Sequence, residues 1–275
     1  MRVVGLGIGA VLLVGNVVPS AAQQTGVENV HFPTSGDAAA QVHFREGVAA
    51  IHNFWWEEAR VRFREAQRLD PDFAMAYWGE AMSWYYPWGL GQSRVDSIGA
   101  ILGRLGDTPE KRLARTPTQR ERDYLSTLDV VIADGTNVSR RRAFADEMRA
   151  LAAKYPDDTE AQAFLAFSLF GAVQQIRSDP EVQAEAERAT KRVLERYPTH
   201  PGALHYTIHA LDTPATAHRA LTAAERYESL GPAAPHAIHM PSHLYVQLGR
   251  WKDVERVNTA AFRASDEYVR ESGLS

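Results

Sequence analysis

Residues 201–234 read PGALHYTIHALDTPATAHRALTAAERYESLGPAA, and residues 235–268 read PHAIHMPSHLYVQLGRWKDVERVNTAAFRASDEY. Laid one above the other, His205 falls on His239 and His209 falls on His243. An offset of 34 residues is the length of one helix–turn–helix unit in a repeat array, where each hairpin buries its apolar stripe against its neighbours.

The same frame extends toward the N-terminus. In residues 40–73, Gly47, Trp56, Ala59, Phe63, Ala66 and Pro71 fall where such a unit needs a small residue, an aromatic after the turn, a packing face and a stop. Ala59, Phe63 and Ala66 share one helix face, and small residues there allow close helix approach. Asp70-Pro71 ends the helix because proline cannot continue it, and Pro156, Pro198 and Pro232 repeat the stop. The spacing predicts helix pairs at 40–54 with 57–69, 73–86 with 92–105, and 118–133 with 139–154. It continues with 159–175 and 181–197, 201–212 and 215–230, then 235–248 and 251–270. Pro87-Trp88-Gly89-Leu90-Gly91 and residues 108–117 carry turn chemistry and read as insertions. The expected fold is all-α: a right-handed α-solenoid of about six antiparallel helix pairs, tetratricopeptide-like, over residues 40–275, preceded by an irregular arm at 23–39.

Residues 1–22 differ in kind. Arg2 supplies a positive start, residues 3–18 are apolar with four glycines, and Pro19-Ser20-Ala21-Ala22 places small residues before a cut after Ala22. This is the pattern of a cleaved secretory signal, so the chain is expected to be exported, periplasmic or secreted, with no stable membrane anchor after cleavage. A formal charge of −4 argues against nucleic acid as a partner. With no cysteine, thiolate metal sites, disulfides and a Cys nucleophile are excluded.

The chain resembles the tetratricopeptide-repeat superfamily over residues 40–270. More narrowly, it resembles exported bacterial repeat proteins of poorly defined function. The carrying residues are the run from Ala76 to Met82 (AYWGEAM), the run from His200 to Tyr206 (HPGALHY), Ile208-His209, and the run from His239 to His243 (HMPSH). The resemblance implies a superhelix whose first helices line a concave groove, and implies no reaction.

Seven of the ten histidines lie between His200 and His243, a clustering that needs a reason. His205, His209 and Asp212 are spaced i, i+4, i+7, and His236, His239 and His243 are spaced i, i+3, i+7. At about 100° per residue each set stays within about 60° of arc. As groove-facing positions on neighbouring first helices, these six residues form the candidate ligand site. His205, His209, His239 and His243 are its candidate metal ligands. Imidazoles without thiolates suit a divalent transition metal such as zinc, copper, nickel or iron, and Asp212 suits a ligand or an orienting group. The residue after His205 is Tyr206 rather than Glu, so the general base of a zinc protease is missing. Two other readings stand beside the metal: a metal-free polar groove for a peptide, a partner protein or a sugar, and structural hydrogen bonding inherited by duplication. Pro241 either kinks the second His helix or moves its start toward Ile238, which leaves His236 less securely placed.

Elsewhere, Trp78, Trp84, Tyr85, Tyr86 and Trp88 read as core, and Trp55-Trp56 as a packing pair at a hairpin turn. Arg140-Arg141-Arg142 reads as a solvated helix face. His31, His43, His52 and His218 stand apart from the cluster and receive no role. No nucleophile triad is legible, and Ser242 lacks the context of one. The first functional expectation is an exported scaffold that binds a peptide or protein partner in its groove; the alternative is a metal-binding or metal-dependent enzyme using the histidine face on the last two repeats.

Overall fold

The computed structural model describes residues 26–172, 179–230 and 233–272. The expected secretory leader at residues 1–22, Pro232 and the end of the expected helix 159–175 lie outside the described residues. Among those described, regular structure is entirely helical. The helices are α1 (Ala38–His52), α2 (Trp56–Leu69), α3 (Ala74–Met82), α4 (Gln92–Leu105), α5 (Pro109–Ala114), α6 (Gln119–Ser126), α7 (Asp129–Ile132) and α8 (Asn137–Lys154). There follow α9 (Thr159–Ala172), α10 (Pro180–Arg196), α11 (Pro201–Leu211), α12 (Ala217–Ser229), α13 (Pro235–His239), α14 (Pro241–Gln247) and α15 (Trp251–Ser272). Neighbours in sequence pack on each other: α1 on α2, α2 on α3, α3 on α4, and α8 through α12 in succession. Contacts of α1 with α3 and of α9 with α11 stack alternate helices, the mark of a helical solenoid. No described helix is long and apolar enough to cross a membrane.

The small residues sit where helices close on each other. Ala59, Phe63 and Ala66 are fully buried. A Cβ on Gly79 would lie 2.2 Å from the Phe63 ring and one on Gly47 would lie 2.7 Å from it, so a side chain at either position would displace that ring. Thr118 and Thr136 cap the N-termini of α6 and α8 with their hydroxyls, and Asp179 caps α10 with its carboxylate.

Two features bend the array back on itself. The arm runs inward, and Phe32 is buried among Phe44, Trp78, Tyr124 and Phe164, with ring centroids 5.3, 5.9, 4.9 and 6.4 Å away. Phe32 therefore joins the arm to the aromatic core of α1, α3, α6 and α9. In addition, α1 meets α11 directly. Its C-terminal turn delivers His52 to Tyr206 and Asn53 to Tyr227, and Trp55 packs on Tyr268 of α15.

Three expectations are corrected. Arg140 and Arg141 are buried rather than solvated: Arg141 donates to the carbonyls of Pro87 (2.8 Å) and Asn137 (3.3 Å), and Arg140 donates to that of Ala133 (2.9 Å). These carbonyls satisfy the guanidiniums, so burial leaves few donors unmatched. Residues 108–117 are not only turn, because Thr108 accepts from the Lys111 amide and Pro109 opens the short α5. Within the aromatic stretch, Trp78 and Tyr85 are core, whereas Trp88 remains 47% exposed and covers other groups.

Candidate metal centre

α11 starts at His200, whose Nδ1 accepts the Ala203 amide (3.1 Å), with Pro201 at the first helical position. The helix is buried along its whole length. His205 is fully buried, and its Nδ1 donates to the carbonyl of His52 at 2.6 Å. A carbonyl can only accept, so the proton of neutral His205 sits on Nδ1 and its Nε2 is a lone pair. That Nε2 faces His236 Nε2 at 3.2 Å. The rings of His209 and His205 lie 4.8 Å apart, and those of His209 and His236 lie 6.0 Å apart. One ligating atom from each of His205, His209 and His236 lies within 4.8 Å of the other two, so these three can hold a metal ion.

Pro241 decides the geometry on the second stripe. It lacks an amide hydrogen, so the helix breaks at Met240: α13 ends at His239 and α14 begins at Pro241. The break leaves His236 beside His205 and sets His239 Nε2 3.0 Å from His243 Nε2. His243 Nδ1 donates to Asp212 Oδ2 (2.7 Å), and Gln247 donates to Asp212 Oδ1 (3.0 Å). His239 Nδ1 donates to Asn258 Oδ1 (2.6 Å), with Ser242 Oγ 3.3 Å away. The two stripes therefore converge, but not as four equivalent ligands. His205 and His209 gather with His236, while His239 and His243 pair with each other alongside. Asp212 orients His243 from behind.

Aromatic side chains close the buried side. Phe54 lies 4.4 Å from His205 and 5.1 Å from His236 between ring centroids, and Trp88 lies 5.5 Å from His209. Phe54 has φ +54, a left-handed conformation that costs a bulky residue energy and persists only where surrounding packing enforces it. Burial pushes His205 well below the ordinary imidazole range, and the neighbouring His236 adds to the shift. Burial, then His239 and His243, lowers His236 to about 3. Both rings are thus held neutral, the form that binds metal.

A second histidine group lies directly behind. His52 Nε2 donates to Glu160 Oε2 (2.8 Å) and His200 Nε2 donates to Glu160 Oε1 (3.1 Å), all three residues being fully buried. Tyr206 Oη donates to His52 Nδ1 at 2.9 Å. Burial alone would raise the Glu160 carboxyl, but the facing His200 and His52 hold it well below the usual carboxylate range. Burial lowers His52 against the pull of Glu160. A Cβ on Gly202 would lie 2.4 Å from His52 Nδ1, so glycine is what lets α11 approach this group. The geometry also lets His52, Glu160 and His200 surround an ion, although every polar side-chain atom already has a partner. His52, given no role from sequence, thus acts twice, through its ring and through the carbonyl that orients His205.

His52, Phe54, Trp88 and Glu160 reach the site from distant parts of the chain, so no local pattern marks them. Asn258 had a visible signal: it occupies the position held by core Ala224 one repeat earlier. No family model matches the chain, and no curated protein matches it either.

Proposed function

We propose that this protein binds a divalent transition metal at the inner face of its solenoid, with His205, His209 and His236 as ligands. The observation that carries this is the approach of one atom from each of the three residues to within 4.8 Å of the others. Tetrahedral coordination at about 2.0–2.1 Å separates ligand nitrogens by roughly 3.3 Å, close to the 3.2 Å between His205 and His236. The His52 carbonyl behind His205 is the usual support of a ligating imidazole. Zinc, copper, nickel and iron all suit such donors. The reading includes a tetratricopeptide-like, right-handed array of about six hairpins, supported by the 34-residue offset. It also includes export, supported by the apolar stretch at residues 3–18. Metal analysis of untagged protein should find a transition metal, and the ion held by these three ligands should be lost in His205→Ala/His236→Ala. A metal-free wild type that also fails to take up added zinc or copper would overturn the proposal.

One observation favours the second reading, a scaffold that binds a peptide. A cavity of about 540 Å³ opens between the arm and α9–α10, lined by Arg45, Arg120, Arg196, His31 and Tyr197 together with Asp157 and Asp158, the latter already paired with Arg120. Among the described residues, the buried Nε of Arg45 has no hydrogen-bond partner. A peptide carboxylate would complete it, and Arg45→Ala should weaken binding of a C-terminal peptide library in the metal-free protein; unchanged binding would remove the reason for this reading.

A further inference from the structure

We infer that His239 and His243 hold a second metal ion beside the first, making the centre dinuclear. The case rests on where the imidazole protons must be. Asn258 Nδ2 donates to the Val254 carbonyl at 2.9 Å, so Asn258 Oδ1 is the atom turned toward His239 and can only accept. His239 therefore carries its proton on Nδ1. Asp212 is likewise an acceptor, and it holds the proton of His243 on Nδ1. Both Nε2 atoms of the neutral rings are then lone pairs, 3.0 Å apart and facing each other.

The neighbouring pair does not share this problem. Among the described residues no hydrogen-bond partner fixes His236 Nδ1, so His236 can carry its proton on Nε2 and donate it to His205. Between His239 and His243 no pair of neutral tautomers supplies a hydrogen bond, and a metal ion or an added proton is needed to reconcile the two lone pairs. A carboxylate behind one imidazole and an amide oxygen behind the other are the outer supports that raise the basicity of metal-ligating histidines. The pair is partly exposed, with 26% of the His243 side chain accessible. Two protein ligands leave further coordination positions for water or a small oxyanion, as in metal sites that act on a substrate rather than only bracing a fold. The two sites adjoin, since His209 and His243 rings lie 6.0 Å apart and His236 and His239 rings 6.2 Å apart.

This second site extends the three-histidine reading, and the two fail separately. Equilibrium dialysis of the full chain against zinc should give two equivalents, one in His239→Gln/His243→Gln and one in His205→Gln/His236→Gln. A wild type that binds one equivalent, lost only in His205→Gln/His236→Gln, would mean that a proton sits between His239 and His243. The second site would then fall and the first stand. One equivalent lost in either double variant would mean a single ion shared by the whole cluster, which also overturns the second site. No binding at all would overturn both readings. Wild-type protein loaded with two equivalents of Cu(II) gives a check that needs no variant. Adjacent ions should broaden the electron paramagnetic resonance spectrum and produce a half-field line, whereas two undisturbed isolated-copper spectra would count against a dinuclear centre.

Discussion

The two histidine groups lie back to back, share His52, and differ in how their protons are matched. Around Glu160, each ring nitrogen of His52 and His200 meets a group of the opposite kind. Tyr206 and the Ala203 amide donate to one side, and the carboxylate accepts on the other. One negative charge and two neutral rings satisfy the whole set, so burial leaves nothing unpaired. In the outer group, the acceptors His52 O, Asp212 and Asn258 lie behind the rings and pin protons away from the centre. Lone pairs are left facing inward. The same residue type thus serves as a fastening in one place and as a ligand set in the other. What separates the roles is whether the second nitrogen of each ring looks at a donor or an acceptor.

The largest test of this contrast is Glu160→Gln. The amide can accept from one histidine but must present a donor to the other. His200 cannot switch tautomer without turning its Nδ1–H against the Ala203 amide. Charge-assisted hydrogen bonds of about 1.5–3 kcal/mol each are replaced by one neutral bond and one buried mismatch, so the variant should lose roughly 3–5 kcal/mol in urea unfolding. A loss under about 1 kcal/mol would mean that the inner group does not fasten α1 to α9 and α11.

Acidification should strain both groups, more gradually. His52, His205 and His236 have lowered values in the folded protein. The unfolded chain therefore takes up protons at about pH 6.5 that the folded chain refuses. Their contribution is complete above that pH and is lost as the pH falls below it. The slope approaches about 1.4 kcal/mol per pH unit for each ring. Glu160, held low, acts in the same direction only below about pH 4.3, where an ordinary Glu would protonate. Metal-free protein should therefore have a clearly lower urea midpoint at pH 5.5 than at pH 7.5. His52→Gln/His205→Gln should flatten the dependence, and an equally steep slope in that variant would place its origin elsewhere.

Much of the helical plan could be read from residue spacing, because proline stops and small-residue faces are local signals. Pro71 and Ala59 needed no distant partner to be interpreted. The 34-residue offset also placed His205, His209, His239 and His243 on converging faces. Closure of the array was hidden, since the His52 partners lie 108 and 154 residues away in sequence and no local pattern encodes that meeting. Arg141 misled because charge reads as exposure, and only the tertiary structure reveals the carbonyls that accept it. His236 was undervalued for a related reason. Pro241 was a sign of interruption, and the interruption is what aims His236 at His205 instead of carrying it out of the site.

The finest test concerns Asn258, which stands where the preceding repeat has Ala224. Asn258→Ala makes the last repeat resemble its neighbour and removes the acceptor that pins the His239 proton on Nδ1. That proton can then move to Nε2 and donate to His243, turning a lone-pair clash into a hydrogen bond. The relief offsets the loss of the bond to Asn258 and some packing, so metal-free stability should change by less than about 1 kcal/mol. Affinity for the outer ion should move the other way, falling roughly 10–100-fold as the imidazole loses its support. The inner fastening does not touch Asn258 and should keep its pH response. If Asn258→Ala instead costs several kcal/mol without metal and leaves zinc affinity unchanged, Asn258 acts through packing alone, and the distinction between the two histidine groups fails at its outermost residue.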